Sequence, residues 1–240
     1  MSERNSDVRK RIIQAAAELL ARDGREAVST RAVSVAAGVQ PPTIYRQFGD
    51  MQGLLNVVAH ETFAEYVRQK TSLDHADDPI EELRRGWDLH VAFGIGNPAV
   101  YAILNGDPRD TADTPAAHAA YANLHEMVAR VAEAGRLRVS VAHATHLIAA
   151  AGEGVTLSLI STPPDARDLK LSATMREAVI AAITIAPTSD GDIADLSGSS
   201  RVAARAVALH AVLAEVNGIF SLAELQLLGE WLDRLASTDG

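Results

Sequence analysis

Apolar residues recur along this chain at helical spacing almost from end to end. Val8, Ile12, Ala15, Ala16, Leu19 and Leu20 form one stripe, which Gly24 closes. A short helix is expected from about Thr30 to Ala37, with Ser29 as N-cap and Gly38 as its stop. A third runs from about Pro41 to Phe48. A fourth starts after Asp50 and continues through Leu54, Leu55, Val58, Phe63 and Val67 toward Lys70. After the polar "SLDHADDP", Asp78-Pro79 opens a helix carrying Ile80, Leu83, Trp87 and Val91. Asn97-Pro98 opens a short one, Thr114-Pro115 a longer one to Ala134, and Ser140 caps the apolar helix 141–161. Helices over about 168–185, 200–216 and 222–236 complete the pattern, the last opened by a Ser221–Glu224 capping box. Residues 187–199, "PTSDGDIADLSGS", read as a flexible loop. No segment alternates with period two, so the expected fold is all-α.

The second and third helices are too short to persist alone, because nucleation costs more than so few hydrogen bonds return. They need each other. Val33, Ala36 and Ala37 offer one apolar face; Val39, Ile44 and Phe48 offer the other. Gly38 permits the sharp turn, and Gln40, preceding a proline, is held in the extended backbone of an N-cap. Pro41 and Pro42 fall in the first turn, where a missing N–H costs little. Thr43, Arg46 and Gln47 share a polar face at spacings of three and four. This is a helix-turn-helix, whose second helix suits the major groove of DNA.

Charge sharpens that expectation. The chain of 240 residues carries a net charge of −9, which by itself disfavours nucleic acid. Residues 1–60, however, hold eight Lys/Arg against six acids, and the acidic excess lies beyond them. The N-terminal part is therefore the one surface suited to phosphate. Cysteine is absent, so no disulfide framework exists and a reducing, cytoplasmic setting is expected. The N-terminus lacks the apolar run of a signal peptide, and no stretch of about 18 apolar residues is present to span a membrane.

The segment "STRAVSVAAGVQPPTIYRQFGDMQGLL", residues 29–55, resembles the DNA-binding signature of TetR-type transcriptional regulators. The likeness covers about residues 8–60, and "GWDLHVAFGIGNPAVYAILNGDP" looks like the start of a regulatory domain common in that family. The resemblance implies an all-helical homodimer: a helix-turn-helix DNA-binding domain over 1–50 and a regulatory and dimerisation domain over 51–240. Within the latter, 51–70 would connect head to body and 200–236 would be additional helices. It implies that Thr30 and Tyr45 touch phosphates, that Arg31, Gln40, Pro41, Pro42, Thr43 and Arg46 meet base edges or nearby backbone, and that Gln47 donates to phosphate. Met51 stands where a lysine is common, a lost phosphate contact that Arg9, Lys10 or Arg11 would have to replace. The family's four-helix dimer bundle would fall on 141–161 and 168–185, with Leu147, Val155, Leu159, Met175 and Val179 near the seam.

For a small-molecule effector, the aromatic and polar residues Trp87, His90, Phe93, Tyr101, Tyr121, His125, His146 and Glu153 are the candidate pocket. Glu153, in the apolar run "AAAGEGVTL", is expected to need a partner or a wet cavity. His143 and His146 are three apart, but with no cysteine or acidic cluster nearby no metal or other cofactor is assigned. No phosphate-cradling glycine loop, nucleophile elbow or paired-carboxylate site is present, so no enzyme is indicated. The expectation is a ligand-responsive DNA-binding regulator, most simply a repressor on a palindromic operator. The alternative is a helical small-molecule carrier, or a metal or haem binder, whose helix-turn-helix has lost DNA.

Overall fold

The computed structural model describes residues 2–71, 76–106, 114–185, 198–213 and 219–236. Its α-helices are α1 (Ser2–Asp23), α2 (Thr30–Ala37), α3 (Pro41–Phe48), α4 (Met51–Thr71), α5 (Pro79–Gly96), α6 (Pro98–Leu104), α7 (Pro115–Glu133), α8 (Val141–Ser161), α9 (Lys170–Ile183), α10 (Gly198–Val212) and α11 (Leu222–Ala236). Single 3-10 turns lie at Arg25–Ala27 and Pro164–Ala166. The all-α expectation holds: among the described residues the only extended pairing is one antiparallel bridge between Leu137 and Thr184. Of the expected loop 187–199, residues 187–197 lie outside the described residues, and α10 begins at Gly198.

Local chemistry sets the helix ends. Ser29 Oγ accepts from the Ala32 amide at 3.2 Å, and Ser140 Oγ from the His143 amide at 3.3 Å, each satisfying an amide with no intrahelical partner. Asp78 Oδ1 accepts from the Ile80 amide at 2.9 Å. At α11 the capping box is closed in both directions, Ser221 N–H to Glu224 Oε2 at 2.8 Å and Glu224 N–H to Ser221 Oγ at 3.4 Å.

One compact unit comprises Met1–Ser72 with Ala92–Ala120. Ile12, Ala16, Val33, Ile44, Leu54, Val58 and Ala59 form its fully buried interior. The second comprises Leu73–Val91 with Tyr121–Gly240. There α8 packs along α9, and Trp87 of α5 is buried beside Gly152. The indole Nε1–H donates to Ser172 Oγ at 3.0 Å. The buried threonines of the pair answer their own backbone: Thr156 Oγ1 donates to Gly152 O at 2.7 Å and Thr184 Oγ1 to Ile180 O at 2.7 Å.

Ion pairs fasten α5 to α9 and α7. Arg84 forks onto Glu177 at 2.8 Å and reaches Glu81 at 2.5 Å; Arg176 holds Asp88 at 2.6 Å and Glu177 at 2.9 Å. Hydrogen bonding to Arg84 holds the Glu177 carboxyl below its ordinary range. Arg130 pairs with Glu82. In the same unit α10 and α11 form a hairpin around Ala206, Leu213 and Leu232, with Leu225 and Leu228 packed against them. His210 Nδ1 meets Asp233 at 2.8 Å across it.

Candidate nucleic-acid interface

The interface is built on α2, α3 and the turn between them. Gly38 adopts φ 63°, a left-handed backbone that disfavours a side chain, and its amide caps α2 on the Ser34 and Val35 carbonyls. Gln40 sits at φ −83°, ψ 144°, and Pro41 starts α3. Ile44 is fully buried against the interior, which fixes the rotation of α3 about its own axis. With that anchor set, Arg46 and Tyr45 are exposed and Thr43 and Gln47 lie at the margin.

Each expected contact residue has a definite setting. Thr30 Oγ1 and Tyr45 Oη, one hydroxyl from each helix, are hydrogen-bonded at 3.1 Å, so that one O–H of the pair is left to donate to an anionic oxygen. Arg31 and Arg46 have no acidic or hydrogen-bonding partner among the described residues. Gln40, Pro41 and Pro42 are exposed at the N-terminal end of α3. Gln47 is bound by its neighbours: Nε2 donates to Asn5 Oδ1 at 2.5 Å. Its carbonyl accepts from Arg9 Nη1 at 3.2 Å.

Arg9 also lies 4.5 Å over the Phe48 ring. It therefore braces α3 from behind, and of the three cations expected to replace a lysine at Met51 only Lys10 and Arg11 remain exposed. The roles of Asn5 and Arg9 have no sequence signal, because their partners lie 42 and 38 residues away. Arg25 joins the same surface through Gln52 Oε1 at 2.6 Å. Behind α3, Gly53 is forced: a Cβ there would lie 2.2 Å from the Phe48 carbonyl oxygen.

The residues proposed for a pocket fall into distinct settings. In the first unit Phe93 and Tyr101 are buried, Phe93 against Phe63 and Tyr66. In the second, Trp87 and His90 flank Gly152. Tyr121, His125 and His146 form a surface cluster, with Tyr121 Oη 3.4 Å from His146 Nε2. Glu153 is exposed. No group of three or more metal-ligating side chains converges among the described residues. Of the expected seam residues, Leu147 and Met175 are open at 38 % exposure each, Val155 and Leu159 are buried, and Val179 is intermediate.

Residues 12–58 match the family model for bacterial regulatory proteins of the tetR family. The resemblance carried by residues 29–55 is thus borne out in the head. No curated protein matches the chain in sequence. Among solved structures, a TetR family transcription regulator from Marinobacter aquaeolei VT8 is 19 % identical with a TM-score of 0.52, covering 77 % of this chain and 99 % of that one. FadR from Bacillus subtilis, in complex with stearoyl-CoA, is 17 % identical with a TM-score of 0.58, covering 72 % and 98 %. RolR, in complex with resorcinol, is 19 % identical with a TM-score of 0.57, covering 76 % and 90 %. These likenesses establish the shared fold. Among the described residues no helix is long and apolar enough to cross a membrane.

Proposed function

We propose that the chain is a DNA-binding transcriptional regulator, working as a homodimer whose affinity for a palindromic operator falls when a small molecule binds. The observation that carries this reading is the anchoring of α3: Ile44 is buried to 0 % exposure while Arg46, free of any acidic partner among the described residues, stands outward beside the Thr30–Tyr45 hydroxyl pair. A guanidinium so placed suits guanine O6/N7 or a phosphate, and the hydroxyl pair suits a phosphate. The second copy is assigned to the outer face of α8 and α9, where Leu147, Ala149, Ala150, Gly154, Met175, Ala178 and Ala182 are exposed. Small residues there let two backbones approach closely. Neighbours of the same fold that hold resorcinol and stearoyl-CoA support a small-molecule effector. Regulation follows from linkage: an effector that favours one head arrangement weakens DNA binding by its ratio of affinities for the two states.

The test is selection of duplexes from a random pool, followed by gel shift. Wild type should retain a palindrome, and Arg46→Ala should bind it about 10- to 100-fold more weakly, the cost of one good base-edge contact or less. Tyr45→Phe should lose a smaller factor. Retention of no duplex at low salt, or equal binding by both variants, would leave the carrier reading in its place.

A further inference from the structure

Phe63, Tyr66 and Lys70 stand three and four residues apart on α4 and therefore share one side of it. Within the same compact unit Phe93 closes on them. Its ring stacks on Tyr66 with centroids 4.4 Å apart and lies 5.9 Å from Phe63. Lys70 Nζ lies 6.0 Å from the centroid of the Tyr66 ring.

Two features do not belong to an ordinary apolar core. The Tyr66 hydroxyl is buried and has no hydrogen-bond partner among the described residues, a condition that costs free energy and is uncommon in folded proteins. Burial, with the Tyr101 phenol nearby, pushes its pKa up, so it is a donor and not an anion. Lys70 is the second feature. Burial alone pushes its amine down to about 8 from an ordinary 10.5, and no carboxylate among the described residues opposes that shift. By contrast Arg84, Arg130, Arg136 and Arg176 each hold an acid. Leucine or methionine would pack this side of α4 without either penalty.

An ammonium lacking an anion and a phenol O–H lacking an acceptor, both among the described residues, ask for the same thing. A carboxylate supplies both, while the rings of Phe63 and Phe93 suit an apolar or aromatic body. An amine would be repelled by Lys70, and a neutral alcohol would leave the ammonium uncompensated. We propose that Lys70 and Tyr66 recognise the carboxylate of a small apolar acid, aromatic or alicyclic, whose body lies against Phe63 and Phe93. This rests on the reading of the chain as a ligand-responsive regulator, and it makes α4 the sensing helix.

The chain has three lysines, Lys10, Lys70 and Lys170, so a protein labelled with [13Cε]lysine gives three side-chain signals, with Lys70→Arg identifying the one of interest. That signal should titrate near pH 8 in the free protein, and its midpoint should rise by one unit or more with phenylacetate, 4-hydroxybenzoate or cyclohexanecarboxylate. Phenylethylamine, 2-phenylethanol and inorganic phosphate should leave it in place. Calorimetry should find the acid bound at least tenfold more weakly by Lys70→Met and by Tyr66→Phe. An ordinary midpoint near 10.5, a midpoint unmoved by all three acids, or an equal response to phosphate would overturn the site. So would a fall in the midpoint of the free protein on Asp74→Asn, which would assign the compensating charge to that residue. Gel shifts on the same preparations separate the two readings. Acid binding without any retained duplex would sink the regulator and keep the site; duplex binding by a protein whose Lys70 ignores acids would do the reverse.

Discussion

The reading head and the α8–α9 pair solve opposite problems with the same helical material. In the head, the apolar groups go inward, Ile44 and Val33 to 0 % exposure, and the polar ones, Arg46 and the Thr30–Tyr45 pair, face out. In the α8–α9 pair the hydroxyls go inward, Thr145 and Thr156 to 0 % exposure, each closed on its own backbone, while Leu147, Met175 and several alanines face out. A polar face awaiting partners suits phosphate and base edges. An apolar face awaiting partners suits a second protein surface. The kind of group left over, rather than the helix itself, indicates what each region meets.

The sharpest way to break that contrast is to remove the head's anchor. Ile44→Ala should cost about 3 kcal/mol through the cavity it leaves. Denaturant unfolding should report that loss, together with loss of duplex binding, while the outer face of α8–α9 is untouched. On the other side, Met175→Glu places a charge in the proposed seam. It should weaken self-association by roughly 2–3 kcal/mol, about a hundredfold in dissociation constant, since an unpaired charge is costly to bury. Sedimentation should then find monomers that still unfold like wild type; an unchanged dimer would move the seam elsewhere. Ser172→Ala probes the inward hydroxyls with the smallest effect. It leaves the Trp87 N–H buried without its acceptor, for about 1–2 kcal/mol in thermal or denaturant unfolding and no change in DNA affinity.

Much of the fold was readable because the signals are local. Ser29, Gly38, Ser140 and the Ser221–Glu224 pair act within four residues of themselves, so helix ends could be read directly. The polar face of α3 was readable for the same reason, as a matter of spacing. Contacts between distant segments were not. Trp87 meets Ser172 across 85 residues, and Arg9 reaches the Gln47 carbonyl across 38; neither pairing leaves a pattern in the chain. The setting of Glu153 depends on packing that the sequence does not carry. An acid in an apolar run implies a buried charge only if the run is buried all round, and this run is small residues with an open side. Lys70 read as the mere end of a helix, because the ring that stacks on its neighbour Tyr66 comes from Phe93, 27 residues away.

Gly53 has a mechanical consequence. The Phe48 carbonyl lies so close that no side chain fits at Gly53, and α3 meets the start of α4 in a tight corner. The 21 residues of α4 extend that corner by about 30 Å at 1.5 Å per residue. A tilt of about 5° over such a lever would carry α3 sideways by roughly 2–3 Å, enough to lift a guanidinium out of hydrogen-bonding range of a base. On the proposed mechanism, a residue of no chemical function would thereby set how far the head moves.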